Sequence, residues 1–123
     1  MARLGTNGAN RALNGLDGVG STNAVTHVTL HVSDPGTTGA GENANSGSYA
    51  RQACTWNVAA AAAKTNSTAL TFSTLGSVAV THFGAWDLVT YAGGNYGIGG
   101  ALAASVTAAS ITVAAGALSI AAS

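Results

Sequence analysis

Charge is what this chain has least of. Its 123 residues include four Lys or Arg and four Asp or Glu, 7% of the total, with a formal net charge of zero. An ordinary globular domain has ~25% charged residues. Such scarcity argues against an enzyme, which gathers ionisable groups and shifts their pKa values. There is no basic excess to neutralise phosphates, so nucleic-acid binding is not expected. Zero net charge also leaves little long-range repulsion between copies, and identical subunits can pack closely.

Cysteine is nearly missing too. A single residue, Cys54, excludes an intrachain disulfide. Nothing beside it in sequence supplies the base that a nucleophilic thiol needs, so it reads as a small buried hydrophobe. A lone thiol is compatible with folding in a reducing cytoplasm. Aromatics are only 6%, and much of the 47% hydrophobic content is alanine. The core is therefore thin, and assembly is one way to bury more surface.

Long helical hydrophobic runs are absent as well. Residues 1–8 hold no apolar stretch of signal-peptide length. Residues 97–123 are uncharged and rich in Ala, Val, Ile and Leu, but Gly97, Gly99, Gly100 and Gly116 interrupt them. Ser105, Thr107, Ser110, Thr112 and Ser119 recur among them, and the Val-Thr and Ile-Thr-Val clusters favour strands. No membrane span is expected.

What is present alternates with period two. Residues 23–32 form the clearest strand, with Val28, Leu30 and Val32 on an expected core face. Val25, His27, Thr29 and His31 share the other face, which reads as solvent or interface. Asp34-Pro35-Gly36 opens a loop over 33–48. Residues 49–58 alternate weakly, and 59–63 read as extended before a polar turn at Lys64-Thr65-Asn66-Ser67. Strands follow at 69–72, 78–86, 102–107, 110–113 and 117–120, with a hairpin apex at Gly93-Gly94-Asn95 and a turn at Ala114-Ala115-Gly116. Residues 6–16 have helical spacing at Ala9, Ala12, Leu13 and Leu16. The expectation is an all-β fold, a small β-sandwich or jelly-roll-like barrel over 19–123, preceded by a short N-terminal helix or arm over 1–18.

No constellation of catalytic type emerges. His27 and His31, four apart on a strand, stand roughly 13 Å from each other, too far to share one metal. His82 reads as a core histidine with a hydrogen-bonded ring. Glu42 and Arg51 flank the 33–48 loop and are expected to pair across its base. The glycines at 93–100 lack the Lys-Ser/Thr of a phosphate loop. Lys64, in its polar turn, lacks the setting of an isopeptide crosslink. Catalytic residues, metal and cofactor are all expected to be none.

Several segments in order resemble small structural proteins of tailed bacteriophages, especially those of actinobacterial hosts. They are Thr26-His27-Val28-Thr29-Leu30-His31 with Asp34-Pro35-Gly36-Thr37-Thr38-Gly39-Ala40, then Gly47-Ser48-Tyr49-Ala50-Arg51-Gln52 and Trp56. Ala69-Leu70-Thr71-Phe72, Val80-Thr81-His82-Phe83-Gly84-Ala85-Trp86-Asp87, Gly99-Gly100-Ala101-Leu102 and Val113-Ala114-Ala115-Gly116 complete the set. The likeness covers about residues 8–120. It implies a virion structural protein, with labels that range over head decoration, minor capsid and tail fibre.

The leading expectation is a capsid decoration protein on the outside of the phage head. Its partners would be the major capsid protein and copies of itself, as a homotrimer. The alternative is a tail fibre or minor tail protein in host adsorption. Expected interface residues are Leu13, Leu16, His27, His31, Glu42, Tyr49 and Arg51, with residues 1–18 as a docking arm.

Overall fold

A computed structural model describes residues 25–43, 49–73, 75–76, 78–91 and 93–121. The expected arm, with Leu13 and Leu16, lies outside these residues. The described chain is all-β, with eight strands: β1 His27–His31, β2 Gln52–Ala53, β3 Ala63–Thr65, β4 Leu70–Ser73, β5 Val80–Trp86, β6 Tyr96–Val106, β7 Ser110–Val113 and β8 Ser119–Ala121. It is a small β-sandwich. One layer is a four-stranded antiparallel sheet in the order β2-β1-β5-β6. The other consists of the pairs β3-β8 and β4-β7.

The core lies between the layers and follows the period-two pattern in β1, β4 and β7, while a bulge between Val80 and His82 resets it in β5. Val28, Leu30, Val80, Phe83 and Ala85 come from the first layer, and Leu70, Phe72, Ile111, Val113 and Ile120 from the second. β4 and β7 alternate strictly, with Thr71, Ser73, Ser110 and Thr112 outside. Each fully buried Leu, Ile or Phe contributes about 1.5–3 kcal/mol of transfer free energy.

The two short pairs behave as one ribbon broken at Asn66. Its side chain accepts from Leu118 N–H at 2.9 Å and donates to the Thr68 and Ala114 carbonyls at 2.8 and 3.0 Å. Its own carbonyl accepts from Gly116 N–H at 2.8 Å. Asn66 is fully buried. One amide thus satisfies backbone groups that the interrupted ladder leaves over.

Three local expectations are corrected. Residues 59–63 are not extended: Ala60 and Ala63 exchange both backbone hydrogen bonds at 2.9 Å around Ala61 and Ala62. Those two have φ of 51° and 62°, a two-residue hairpin loop in left-handed conformation. Lys64 is not in a polar turn: it is buried in β3 opposite Ile120, and its ammonium donates to the Asn57 carbonyl at 2.7 Å. The outer face of β1 is not solvent: Val25, Thr29 and His31 are buried, whereas Val32, expected in the core, is 39% exposed. The cause is the loop after β1, whose return limb pairs back on the strand. Val32 N–H donates to Gly41 O at 2.9 Å, and Asn43 N–H to Leu30 O at 2.8 Å.

Candidate functional site

At one end of the sandwich the loop of residues 33–43 and the β5–β6 connection are fastened together by a buried polar cluster. Arg51, just before β2, is its hub. The expected Glu42–Arg51 pair forms: Nη2 meets Oε2 at 2.8 Å and Nε meets Oε1 at 3.0 Å, a bidentate fork in a nearly dry setting. Arg51 Nη1 donates to the carbonyls of Leu88 and Gly93, both at 2.9 Å. The guanidinium also lies over the Trp86 ring, 4.1 Å from its centroid. Tyr49, half-buried, donates to Glu42 Oε1 and accepts from Leu30 N–H, both at 3.2 Å. Burial pushes its phenol well above the usual range, so it stays a neutral donor.

A second chain of hydrogen bonds runs under the same loop. Trp86 Nε1–H donates to Thr29 Oγ1 at 3.0 Å, and that hydroxyl lies 2.7 Å from His31 Nε2. His31 Nδ1 lies 2.8 Å from the Ala40 carbonyl, which can only accept, so Nδ1 bears the proton and Nε2 accepts from Thr29. Burial lowers the His31 pKa, outweighing the Ala40 hydrogen bond and the Glu42 charge, which raise it. Two glycines make room. A Cβ at Gly84 would strike His31 Nε2 and Thr29 Oγ1, and one at Gly39, where φ is +75°, would strike the Trp86 indole. Tyr96 closes the side with an edge-to-face contact on Trp86, 5.5 Å between centroids.

The fastened β5–β6 connection displays three apolar side chains. Leu88, Val89 and Tyr91 are 42%, 53% and 50% exposed. Their backbone is held from two sides: Arg51 takes the Leu88 and Gly93 carbonyls, and the Asp87 carboxylate accepts Asn95 N–H at 2.7 Å and Asn95 Nδ2 at 2.8 Å. Those two hydrogen bonds lower the Asp87 pKa. A fixed backbone that carries exposed apolar groups is suited to docking, because little ordering remains to be done on contact.

Glu42 and Arg51 are thus brought together as expected, and Tyr49 joins them, all beneath the surface, where they hold loops. His31 is fully buried and cannot be an interface residue in this fold. His27 is half-buried, with Nδ1 2.9 Å from Thr26 Oγ1, and its pKa is lowered by burial and then by Arg51. His82 is half-buried rather than core, with Nδ1 2.8 Å from Thr81 Oγ1. Among the described residues, no group of three or more His, Cys, Asp or Glu is arranged to hold a metal ion, and no helix is long and apolar enough to cross a membrane. Sequence reasoning missed Leu88, Val89 and Tyr91. The available signal was an apolar run set inside a turn, between Asp87 and the Gly93-Gly94 pair.

These features define a charge-poor β-sandwich that presents a rigid loop surface. Over residues 6–121 the chain matches the family described as Podophage GP4 fiber I protein gp80. It belongs to that family, and is a virion structural protein of a phage. The match does not extend to actinobacterial hosts or to head decoration. No curated protein matches the chain.

Proposed function

We propose that this protein is a subunit of a phage tail fibre that takes part in host adsorption, rather than a decoration of the head. Membership of a fibre-protein family over nearly the whole chain supports this reading most directly. It acts by contact and without catalysis. The rigid patch of Leu88, Val89 and Tyr91 is the contact surface, and the Arg51 cluster beneath keeps it in shape. Copies of the same chain are its first partners in the fibre.

The test is a triple substitution, Leu88→Ser, Val89→Ser and Tyr91→Ser. These side chains are exposed, so folding should be retained with little change in Tm. The variant should lose incorporation into tails, or binding of the resulting particles to host cells. Normal tail incorporation together with normal adsorption would refute the assigned patch. Recovery of the wild-type protein with DNA-free heads, and not with isolated tails, would refute the fibre reading in favour of decoration.

A further inference from the structure

The two edges of the four-stranded sheet are unlike. One edge is β2, two residues long, with the buried Arg51 cluster at its start. The other is β6, eleven residues long, and no strand pairs with its outer side among the described residues. Long open edges are hazardous, and soluble proteins blunt them with lysine, proline, brevity or bulges. β6 has a bulge between Ala101 and Val106, which leaves 98–101 as its regular stretch. β6 uses neither lysine nor proline: Tyr96-Gly97-Ile98-Gly99-Gly100-Ala101-Leu102-Ala103-Ala104-Ser105-Val106 has no charge. No Asp, Glu, Lys or Arg occurs after Asp87 at all. Gly97, Ala101, Ala103, Ala104 and Ser105 are exposed. An apolar groove of about 390 Å³ runs beside the strand, lined by Leu102, Val106, Ile111, Val113 and Leu118 among others.

We propose that β6 is an assembly edge whose occupant is β6 of a second copy of this chain, paired antiparallel across a two-fold axis. An antiparallel edge is complementary to itself under that symmetry, so each backbone donor row meets an acceptor row. Charge matching is automatic, because two neutral edges bring no like charges together. A charged heterologous strand would find no complementary side-chain charge on β6. The second strand would also cover the neighbouring groove. The segment 98–101 pairs regularly with 82–85 of β5 and supplies the straight stretch on which pairing starts. This inference does not depend on the fibre reading, since a head protein could associate in the same way.

Sedimentation equilibrium of the full chain is the test, with the double variant Ala101→Lys, Ala103→Lys and the charge-matched control Thr71→Lys, Ser73→Lys on the outer face of β4. The wild type and the control should associate equally. The β6 variant should raise the dissociation constant about tenfold or more, because like charges then face each other across the new strand pair. Hydrogen exchange on the unmodified chain provides a second reading that no folding defect can disturb. The outward-pointing amides of 96–106, those that do not bond to β5, should become protected as protein concentration rises. A chain that stays monomeric at all concentrations overturns the proposal. So does association that the β6 lysines leave unchanged, or protection of the outward-pointing β6 amides that is independent of concentration.

Discussion

The guanidinium of Arg51 lies 4.1 Å from the centre of the Trp86 ring while its fork grips the Glu42 carboxylate. That one side chain joins three separate segments: the loop after β1, the start of β2 and the β5–β6 connection. In a chain with four basic residues, one is placed where it is fully hidden from water. The expense of burying it is offset by the bidentate pair, two carbonyl acceptors and the indole face. Removing a single partner should therefore cost far more than an exposed salt bridge does.

Arg51→Ala is expected to destabilise the fold by about 3–5 kcal/mol, because it leaves Glu42 buried without its cation. Arg51→Lys should recover little of this, since an ammonium cannot reproduce the fork or stack in the same way. Urea denaturation followed by circular dichroism measures both. A loss under about 1 kcal/mol for Arg51→Ala would show that the cluster does not fasten the loops.

Asn66→Ala should cost about 2–4 kcal/mol. It strands Leu118 N–H and the Ala114 and Thr68 carbonyls in a buried setting, at about 1–3 kcal/mol per unsatisfied group with partial relaxation. Thermal unfolding of the variant gives the value, and a Tm within a degree or two of wild type would contradict the bridging role.

The Ala61–Ala62 loop is the place to gain stability. Both residues have positive φ, which costs an alanine roughly 1–2 kcal/mol. Ala61→Asn with Ala62→Gly supplies the pair that this turn favours and should raise stability by about 1–2 kcal/mol in all. An unchanged or lower denaturation midpoint would count against the hairpin.

Acid should weaken the fold through His31. Its pKa in the folded state is below 6.5, from burial first, so the unfolded chain takes up the proton sooner as pH falls. Stability is then full above about pH 6.5 and declines from there toward the folded value, by up to ~1.4 kcal/mol per pH unit. His27 shifts in the same direction, from burial and then Arg51. Asp87, held low by its Asn95 hydrogen bonds, changes charge only below its ordinary 3.8 and leaves this window untouched. Urea midpoints between pH 8 and 5 should fall for wild type and fall less steeply for His31→Gln. Equal slopes would remove His31 from the account.

The strands were legible because β4 and β7 obey simple alternation and because glycine and asparagine mark their turns, whereas the bulges of β5 put Phe83 and Ala85 rather than His82 in the core. The Glu42–Arg51 pair was legible from its loop-spanning position. Three things were not. The burial of Thr29 and His31 depends on a loop that folds back over the sheet, which alternation within a strand cannot report. Lys64 lies in a polar run, yet its strand register turns it inward opposite Ile120. Leu88, Val89 and Tyr91 have no periodicity at all, and they gain meaning only from the carbonyl contacts of a distant arginine.

The most direct test of the whole account is the position of this chain on intact phage particles, read by gold-labelled antibody in electron micrographs. The account predicts gold along the tail appendages. Gold over the head, or particles with no label, would contradict it.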